Sequence, residues 1–86
     1  MDKRILTLRQ KIDNFDEEII KLLKLRMRIS KEVGLLKEEL HIPIEDKSRE
    51  AEIIERLTSK AGKNLTEEQL IRIFTAVFKS SKQVQK

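Results

Sequence analysis

The sequence predicts an all-α protein with three helices, of which the first is very long. Apolar residues recur with a seven-residue period through the first part of the chain, and no segment shows the apolar–polar alternation of a half-buried strand. The 86 residues are enough for one small domain, so we expect a single domain, 1–86. Because there is no cysteine, disulfides and thiolate metal sites are excluded, and oligomerisation is the expected source of further buried surface.

The first helix is predicted over residues 4–40 from two interleaved heptad positions, which we call the seam. Ten of the eleven seam residues are apolar, and Arg26 is the exception. They are Ile5, Ile12, Ile19, Arg26, Val33 and Leu40, with Leu8, Phe15, Leu22, Ile29 and Leu36. Such a helix is roughly 54 Å long, whereas a compact chain of this size has a diameter on the order of 30 Å. We therefore expect a second copy of the chain to cover what its own residues cannot.

Helix-breaking and capping residues define two further helices. Pro43 ends the first helix, because proline moves the preceding residue out of the helical region. Asp46 is a suitable N-cap for a second helix that ends near Gly62, and Thr66 with Gln69 has capping-box spacing for a third. The apolar stripes are Ile53, Ile54, Leu57 and Ala61 in the second helix, and Leu70, Ile73, Phe74 and Val77 in the third.

Composition argues against two classes of partner. Charged residues make up 40% of the chain with a net charge of +4, and both signs are interspersed, as on solvated helix surfaces. Three Phe without Trp or Tyr offer few stacking side chains for nucleic acid. No signal peptide and no apolar run of membrane-spanning length is found, so we expect no membrane partner and a cytoplasmic location.

Polar side chains interrupt the apolar face of every predicted helix. Arg26 and Lys37 are eleven residues apart, which leaves them about 20° apart around the helix and roughly 16 Å apart along it. Glu50 lies one turn before the apolar stripe of the second helix. In the third helix, Ser81 and Gln85 continue the stripe at four-residue steps. Their coincidence on inward faces favours a pocket for a small dianion.

Each of these residues also has an ordinary structural explanation. Arg26 could fix the register of a coiled seam or extend its charged end into solvent. Lys37 could lie on a solvated flank, and Glu50 would interact favourably with a helix N-terminus whatever else it does. Ser81 and Gln85 could belong to a frayed helix end. The pocket is the one explanation that accounts for all five together.

Arg9 suggests a site shared between two chains. It lies seventeen residues before Arg26, which is about 100° around the helix and roughly 25 Å along it. Two arginines at that separation cannot hold one small ligand from the same helix. In an antiparallel pair of first helices, however, Arg9 of one chain can approach Arg26 of the other.

These residues resemble the small all-α chorismate mutases over essentially the full chain. The resemblance rests on LRQKIDNFDEEIIKLLKLR with Arg9, Asp13, Asp16 and Arg26, on VGLLK with Lys37, and on PIEDKSRE with Pro43, Asp46, Arg49 and Glu50. It implies an intertwined antiparallel homodimer of three-helix chains, in which each of two active sites takes one arginine from the partner. It also implies rearrangement of chorismate to prephenate, in phenylalanine and tyrosine biosynthesis, without a cofactor or metal.

The resemblance further implies roles for individual residues. The partner subunit's Arg9 and Arg26 would bind the two carboxylates of chorismate. Lys37 and Gln85 would donate hydrogen bonds to its ether oxygen. The ring hydroxyl and the remaining substrate contacts would involve Glu50, the backbone N–H of Asp46, Arg49 and Ser81, with Ser80 and Gln83 as alternatives to Ser81 and Gln85.

Three other functions remain open at this point. An isochorismate pyruvate-lyase shares this fold and a related pocket. A non-catalytic regulatory or dimerisation module derived from a shikimate-pathway enzyme would keep the fold without the reaction. A plain antiparallel coiled-coil adaptor would leave Arg26, Lys37 and Glu50 without a common purpose.

Overall fold

The protein folds into three α-helices without strands in a computed structural model that describes residues 1–86. Helix α1 comprises Lys3–Glu39, α2 comprises Lys47–Ala61 and α3 comprises Glu67–Gln85. The predicted three helices with a long first helix are therefore confirmed. The chain measures 56 × 24 × 15 Å and its radius of gyration is 16.4 Å, compared with roughly 12 Å for a compact domain of this length. It is elongated because α1 extends well beyond the other two helices.

Helix α1 ends in a Schellman motif, which turns the chain back toward the helix. The Ile42 N–H donates to the Lys37 carbonyl at 2.8 Å, and the His41 N–H donates to the Glu38 carbonyl at 3.3 Å. His41 adopts a φ of 57°, the left-handed conformation that glycine usually supplies at this position. Pro43 follows directly, so the loop leads to α2 instead of continuing the helix.

The predicted caps of the second and third helices are confirmed. The Asp46 carboxylate accepts from the Arg49 N–H at 2.9 Å and so caps α2. Gly62, with a φ of 67°, follows the last residue of α2. At the start of α3, the Thr66 hydroxyl accepts from the Gln69 N–H at 3.1 Å, and the Gln69 side chain accepts from the Thr66 N–H at 2.9 Å.

Helix α3 is the central element of the chain. It packs against both α1 and α2, whereas no Cα atom of α2 lies within 8 Å of one in α1. The buried apolar side chains are Ile53 of α2 and Leu70 and Phe78 of α3. The predicted stripe of α3 is only partly buried within one chain, because Ile73 remains 50% exposed.

The two ends of α1 have very different surroundings. Every residue from Met1 to Leu22 is exposed, including all the seam side chains in that stretch. Further along, Ser30 and Gly34 are buried against α3. A Cβ atom on Gly34 would lie 2.7 Å from the Gln85 Cα and 2.8 Å from its carbonyl oxygen, so the absence of a side chain permits this close approach.

None of the helices combines the length and the apolar character needed to cross a bilayer.

Candidate active site

A cavity of about 290 Å³ opens between the C-terminal half of α1, the loop that follows it, the start of α2 and the end of α3. Seven of the eight predicted site residues line it: Arg26, Lys37, Asp46, Arg49, Glu50, Ser81 and Gln85. The rest of the wall is formed by Ile29, Ser30, Val33, Ile44, Ile53, Phe78 and Lys82. Residues from all three helices and from the α1–α2 loop thus meet at one cavity, which we call the pocket.

The pocket lies where the seam of α1 carries a charge. Three consecutive seam residues, Arg26, Ile29 and Val33, belong to the pocket wall. Arg26 therefore stands at a position where the apolar seam borders a cavity. It is half-buried, and its long side chain lies along the surface of α3.

The Arg26 guanidinium has only neutral partners within the chain. It donates to the Ser81 hydroxyl, and its Cζ lies 6.0 Å from the centroid of the Phe78 ring. No carboxylate forms an ion pair with it. Burial, and secondly the positive charge of Arg49, lower the pKa of Arg26 from its ordinary value, although an arginine stays protonated near neutral pH. A half-buried cation without a carboxylate partner favours an anionic ligand.

Lys37 and Asp46 present donors from opposite sides of the α1–α2 loop. The Lys37 ammonium donates one hydrogen bond to the Ile44 carbonyl at 3.0 Å, which leaves two of its three protons for other acceptors. The backbone hydrogen bonds outside the helices do not use the Asp46 N–H. Both residues line the pocket, which makes the Lys37 ammonium and the Asp46 N–H candidate donors to a ligand.

The end of α3 brings Ser81 and Gln85 to the pocket. Ser81 is buried, and α3 remains helical through Gln85. The Gln85 Oε1 atom is buried without a hydrogen-bond partner, an arrangement that native proteins rarely leave unsatisfied. Ser80 and Gln83, the alternatives considered from the sequence, are exposed and do not line the pocket.

Glu50 lies at the pocket wall in the first turn of α2 and is paired with Lys82 of α3. The Lys82 Nζ is 3.4 Å from Glu50 Oε2 and 3.4 Å from Glu45 Oε1. Burial lowers the pKa of Lys82, but the hydrogen bonds and charges of the two carboxylates outweigh burial and raise it overall. The ammonium therefore stays charged through the neutral range.

Arg9 lies away from the pocket of its own chain. It is exposed, and its Nη1 donates to the Met1 sulfur at 3.0 Å. Arg9 does not line the pocket that contains Arg26. The two arginines are therefore not brought together within one chain, as the spacing along α1 indicated.

The charge of the pocket suits a dianion. Four lining residues are cationic (Arg26, Lys37, Arg49 and Lys82) and two are acidic (Asp46 and Glu50), so their formal charges sum to 4 − 2 = +2. The acids are already engaged, one as a helix cap and the other with Lys82. No cluster of three or more histidine or carboxylate side chains is arranged to hold a metal ion.

A sequence model of the family described as chorismate mutase type II matches residues 8–86. The chain belongs to this family. The resemblance found in the sequence is thereby confirmed.

Relatives of known sequence and structure agree with this membership. The chain is 33% identical over 87 aligned residues to the chorismate mutase of Methanocaldococcus jannaschii, covering 100% of this chain and 88% of that protein. It is 38% identical to the Helicobacter pylori chorismate mutase solved in complex with prephenate, with a TM-score of 0.90 and coverage of 98% and 91%. Form II of the Thermus thermophilus chorismate mutase gives a TM-score of 0.92 at 34% identity, with coverage of 95% and 93%.

Sequence reasoning missed one charged residue of this chorismate mutase pocket. Lys82 was not among the predicted site residues, yet it lines the cavity. The available signal was its spacing, because Lys82 follows the buried Phe78 by four residues and so lies on the same helical face. The same step from Val77 had led to Ser81.

Proposed function

We propose that this chain is a chorismate mutase that converts chorismate to prephenate as a homodimer with two shared active sites. The observation that carries the proposal is the Arg26 guanidinium, which is half-buried beside neutral groups in a pocket with net positive charge. Membership of the chorismate mutase family and the prephenate complex of the H. pylori relative support the same reaction.

The substrate is a dianion, and the pocket cations would bind its two carboxylates. Guanidinium groups bind carboxylates through two parallel hydrogen bonds and remain charged at all relevant pH values. Arg26 would bind one carboxylate while Ser81 and Phe78 hold its side chain in place. Arg49 would assist in seating the substrate from the first turn of α2. Binding both ends of the molecule would hold the enolpyruvyl arm over the ring, which is the conformation that can react.

Lys37 and Gln85 would stabilise the charge that develops during the reaction. The rearrangement breaks a C–O bond as a C–C bond forms, so negative charge accumulates on the ether oxygen. Lys37 has two ammonium protons beyond the one given to Ile44, and Gln85 supplies an amide. Donors fixed at this oxygen interact more strongly with the transition state than with the ground state, and therefore accelerate the reaction.

The first turn of α2 would hold the ring hydroxyl. The Glu50 carboxylate would accept a hydrogen bond from the hydroxyl, and the Asp46 N–H would donate one to the hydroxyl oxygen. Both groups are fixed by the same short segment, because the Asp46 side chain caps the helix that carries Glu50. The reaction requires no acid or base from either residue, so their role would be to orient the ring.

The proposed homodimer is supported by the surface that one chain leaves uncovered. Seam residues Ile12, Phe15, Ile19 and Leu22 are each more than half exposed in a single chain, and contiguous apolar surface of this kind marks an interaction site. An antiparallel second copy would cover this stretch and bring the partner's Arg9 toward Arg26. Each pocket would then gain a second arginine for the second carboxylate.

The proposed function is tested by adding purified protein to chorismate and following its absorbance while the product is identified. We expect chorismate to disappear and prephenate to form, with no release of pyruvate. Pyruvate release from isochorismate without prephenate formation would instead assign the protein as a lyase. If neither compound is consumed, the chain is a non-catalytic module and the proposal is wrong. The Arg26→Ala variant serves as the inactive control in each assay.

A further inference from the structure

We infer that Lys82 positions Glu50 for the substrate and cancels its charge, so that a carboxylate can belong to a pocket for a dianion. The inference rests on the proposed function, because it concerns how the same pocket accepts chorismate. Its basis is the juxtaposition of Lys82 Nζ with Glu50 Oε2 at 3.4 Å at the pocket wall.

Two consecutive residues of α3 hold two pocket groups of opposite charge. The Ser81 hydroxyl accepts from the Arg26 guanidinium of α1, and the Lys82 ammonium pairs with Glu50 of α2. Because α1 and α2 do not approach each other closely, this turn of α3 sets the relative position of the two groups. Lys82 is thus placed to orient a substrate contact on another helix.

Only one oxygen of Glu50 is engaged by this pair. Lys82 contacts Oε2, which leaves Oε1 available to accept a hydrogen bond from the ring hydroxyl. Without Lys82 the carboxylate would be free to rotate, and its ordering would have to accompany substrate binding. The side chains of Lys82 and Glu50 are 29% and 27% exposed, so solvent screens the pair only in part.

Charge is the second part of the inference. An unpaired carboxylate within a few ångströms of a dianion would repel it, and the repulsion would act on substrate and transition state alike. The Lys82 ammonium offsets this charge, and its raised pKa keeps it protonated where the enzyme would work. Losing Lys82 should therefore weaken substrate binding and leave the chemical step nearly unchanged.

The effect is tested with Lys82→Met, which keeps most of the apolar stem and removes the charge. We expect KM for chorismate to rise about tenfold, the scale of one charge-assisted contact, with kcat within about twofold of wild type. Lys82→Arg should recover most of the loss, because it restores a cation. The matched control is Glu45→Gln, which removes the other partner of Lys82 but lies outside the pocket and should leave KM within about twofold.

Making Lys82→Met in a Glu50→Gln background shows whether Lys82 acts by positioning Glu50 or only through the packing of its own side chain. If Lys82 acts through Glu50, Lys82→Met should change KM by less than about twofold there. An equal loss in both backgrounds would assign Lys82 a role that does not act through Glu50, and a fall in kcat with unchanged KM would mean that it acts on the transition state; either result would overturn the inference. An active wild type whose Lys82→Met variant is unimpaired would also overturn it, and would leave the proposed function intact. A wild type that does not consume chorismate would overturn both.

Discussion

The two halves of α1 have the same heptad pattern but different partners. From Met1 to Leu22 no residue is buried, although the seam there is entirely apolar. Beyond Leu23, α1 packs against α3, buries Ser30 and Gly34, and borders the pocket through Arg26. A single chain thus buries part of only one half of its longest helix, and even there the seam residues Ile29, Leu36 and Leu40 are each more than half exposed.

This contrast separates two sources of stability. The C-terminal half is held by contacts that the chain makes with itself, including the approach of Gln85 to Gly34. The N-terminal half exposes apolar area whose burial would be worth about 25 cal/mol per Å², and the rest of its own chain leaves it uncovered. Seven of the predicted site residues line the pocket, which borders the C-terminal half of α1. Arg9 is the one predicted site residue in the N-terminal half. The active site should therefore depend on both regions.

The largest expected effect comes from charging the uncovered half of the seam. Leu22→Asp should prevent dimer formation and abolish activity, because it would bury two unpaired carboxylates in the interface at a cost of several kcal/mol each. Leu35→Asp is the matched control: Leu22 and Leu35 are 64% and 62% exposed in one chain, but Leu35 lies off the seam. Sedimentation equilibrium of the wild type at micromolar concentration should give twice the 10.2 kDa chain mass. A wild type that sediments only at the chain mass would contradict the homodimer.

A somewhat smaller effect is expected from each arginine separately, because the fold should survive. Arg9→Ala and Arg26→Ala should each lose a charge-assisted contact worth roughly 1.5–3 kcal/mol, and more in the transition state, so each homodimer should be nearly inactive. Mixing them under conditions of subunit exchange should restore about a quarter of wild-type activity, since half of the dimers are mixed and each has one intact site. Confirmed heterodimers without restored activity would rule out a site shared between chains.

At the pocket end, Glu50 should matter more for catalysis than for folding. Glu50→Ala should lower kcat/KM by roughly 10- to 100-fold, as expected for a lost hydrogen bond to a charged group. Glu45→Ala should stay within about threefold of wild type, although both carboxylates are 3.4 Å from the same ammonium. Thermal melts of both variants measure their stability, which is then compared with the change in kcat/KM. A Glu50→Ala protein that melts earlier but keeps its kcat/KM would identify Glu50 as a residue that only stabilises the helix N-terminus.

The smallest expected effect concerns the close contact between α1 and α3. Gly34→Ala gains about 1 kcal/mol of helix propensity, but its Cβ would be 2.7 Å from backbone atoms of Gln85, and such overpacking costs about 1–3 kcal/mol. The free energy of unfolding should therefore stay the same or fall by up to about 2 kcal/mol, while displacement of Gln85 should lower kcat about three- to tenfold. The same substitution is also made in a Gln85→Ala background. There, Gly34→Ala should not lower kcat further, because the Gln85 side chain is already lost. A similar drop in both backgrounds would mean that Gly34 does not act through Gln85.

Local signals in the sequence predicted the fold well. The caps at Asp46 and Thr66 and the break at Pro43 act within a few residues, so helix boundaries followed directly from residue chemistry. Polar residues on apolar stripes led to most of the pocket wall for the same reason, since helical spacing fixes which side chains share a face.

Contacts between helices were harder to predict. The pairing of Lys82 with Glu50 depends on how α2 and α3 are oriented, which no spacing within either helix determines. The approach of Gln85 to Gly34 likewise depends on the distance between α1 and α3. Phe78, which was not in the predicted stripe of α3, is buried beside Arg26, whereas Ile73 of that stripe is 50% exposed, because the packing of α3 on α1 decides which face is covered.

The central position of α3 also bears on how the protein is made. Ribosomes produce α1 first, then α2, and no Cα atom of one of these helices lies within 8 Å of the other in a single chain. Neither can form native tertiary contacts within its own chain until α3 has left the exit tunnel. Until then, folding during translation should be confined largely to local helix formation, and the long apolar seam of α1 should be accessible to chaperones.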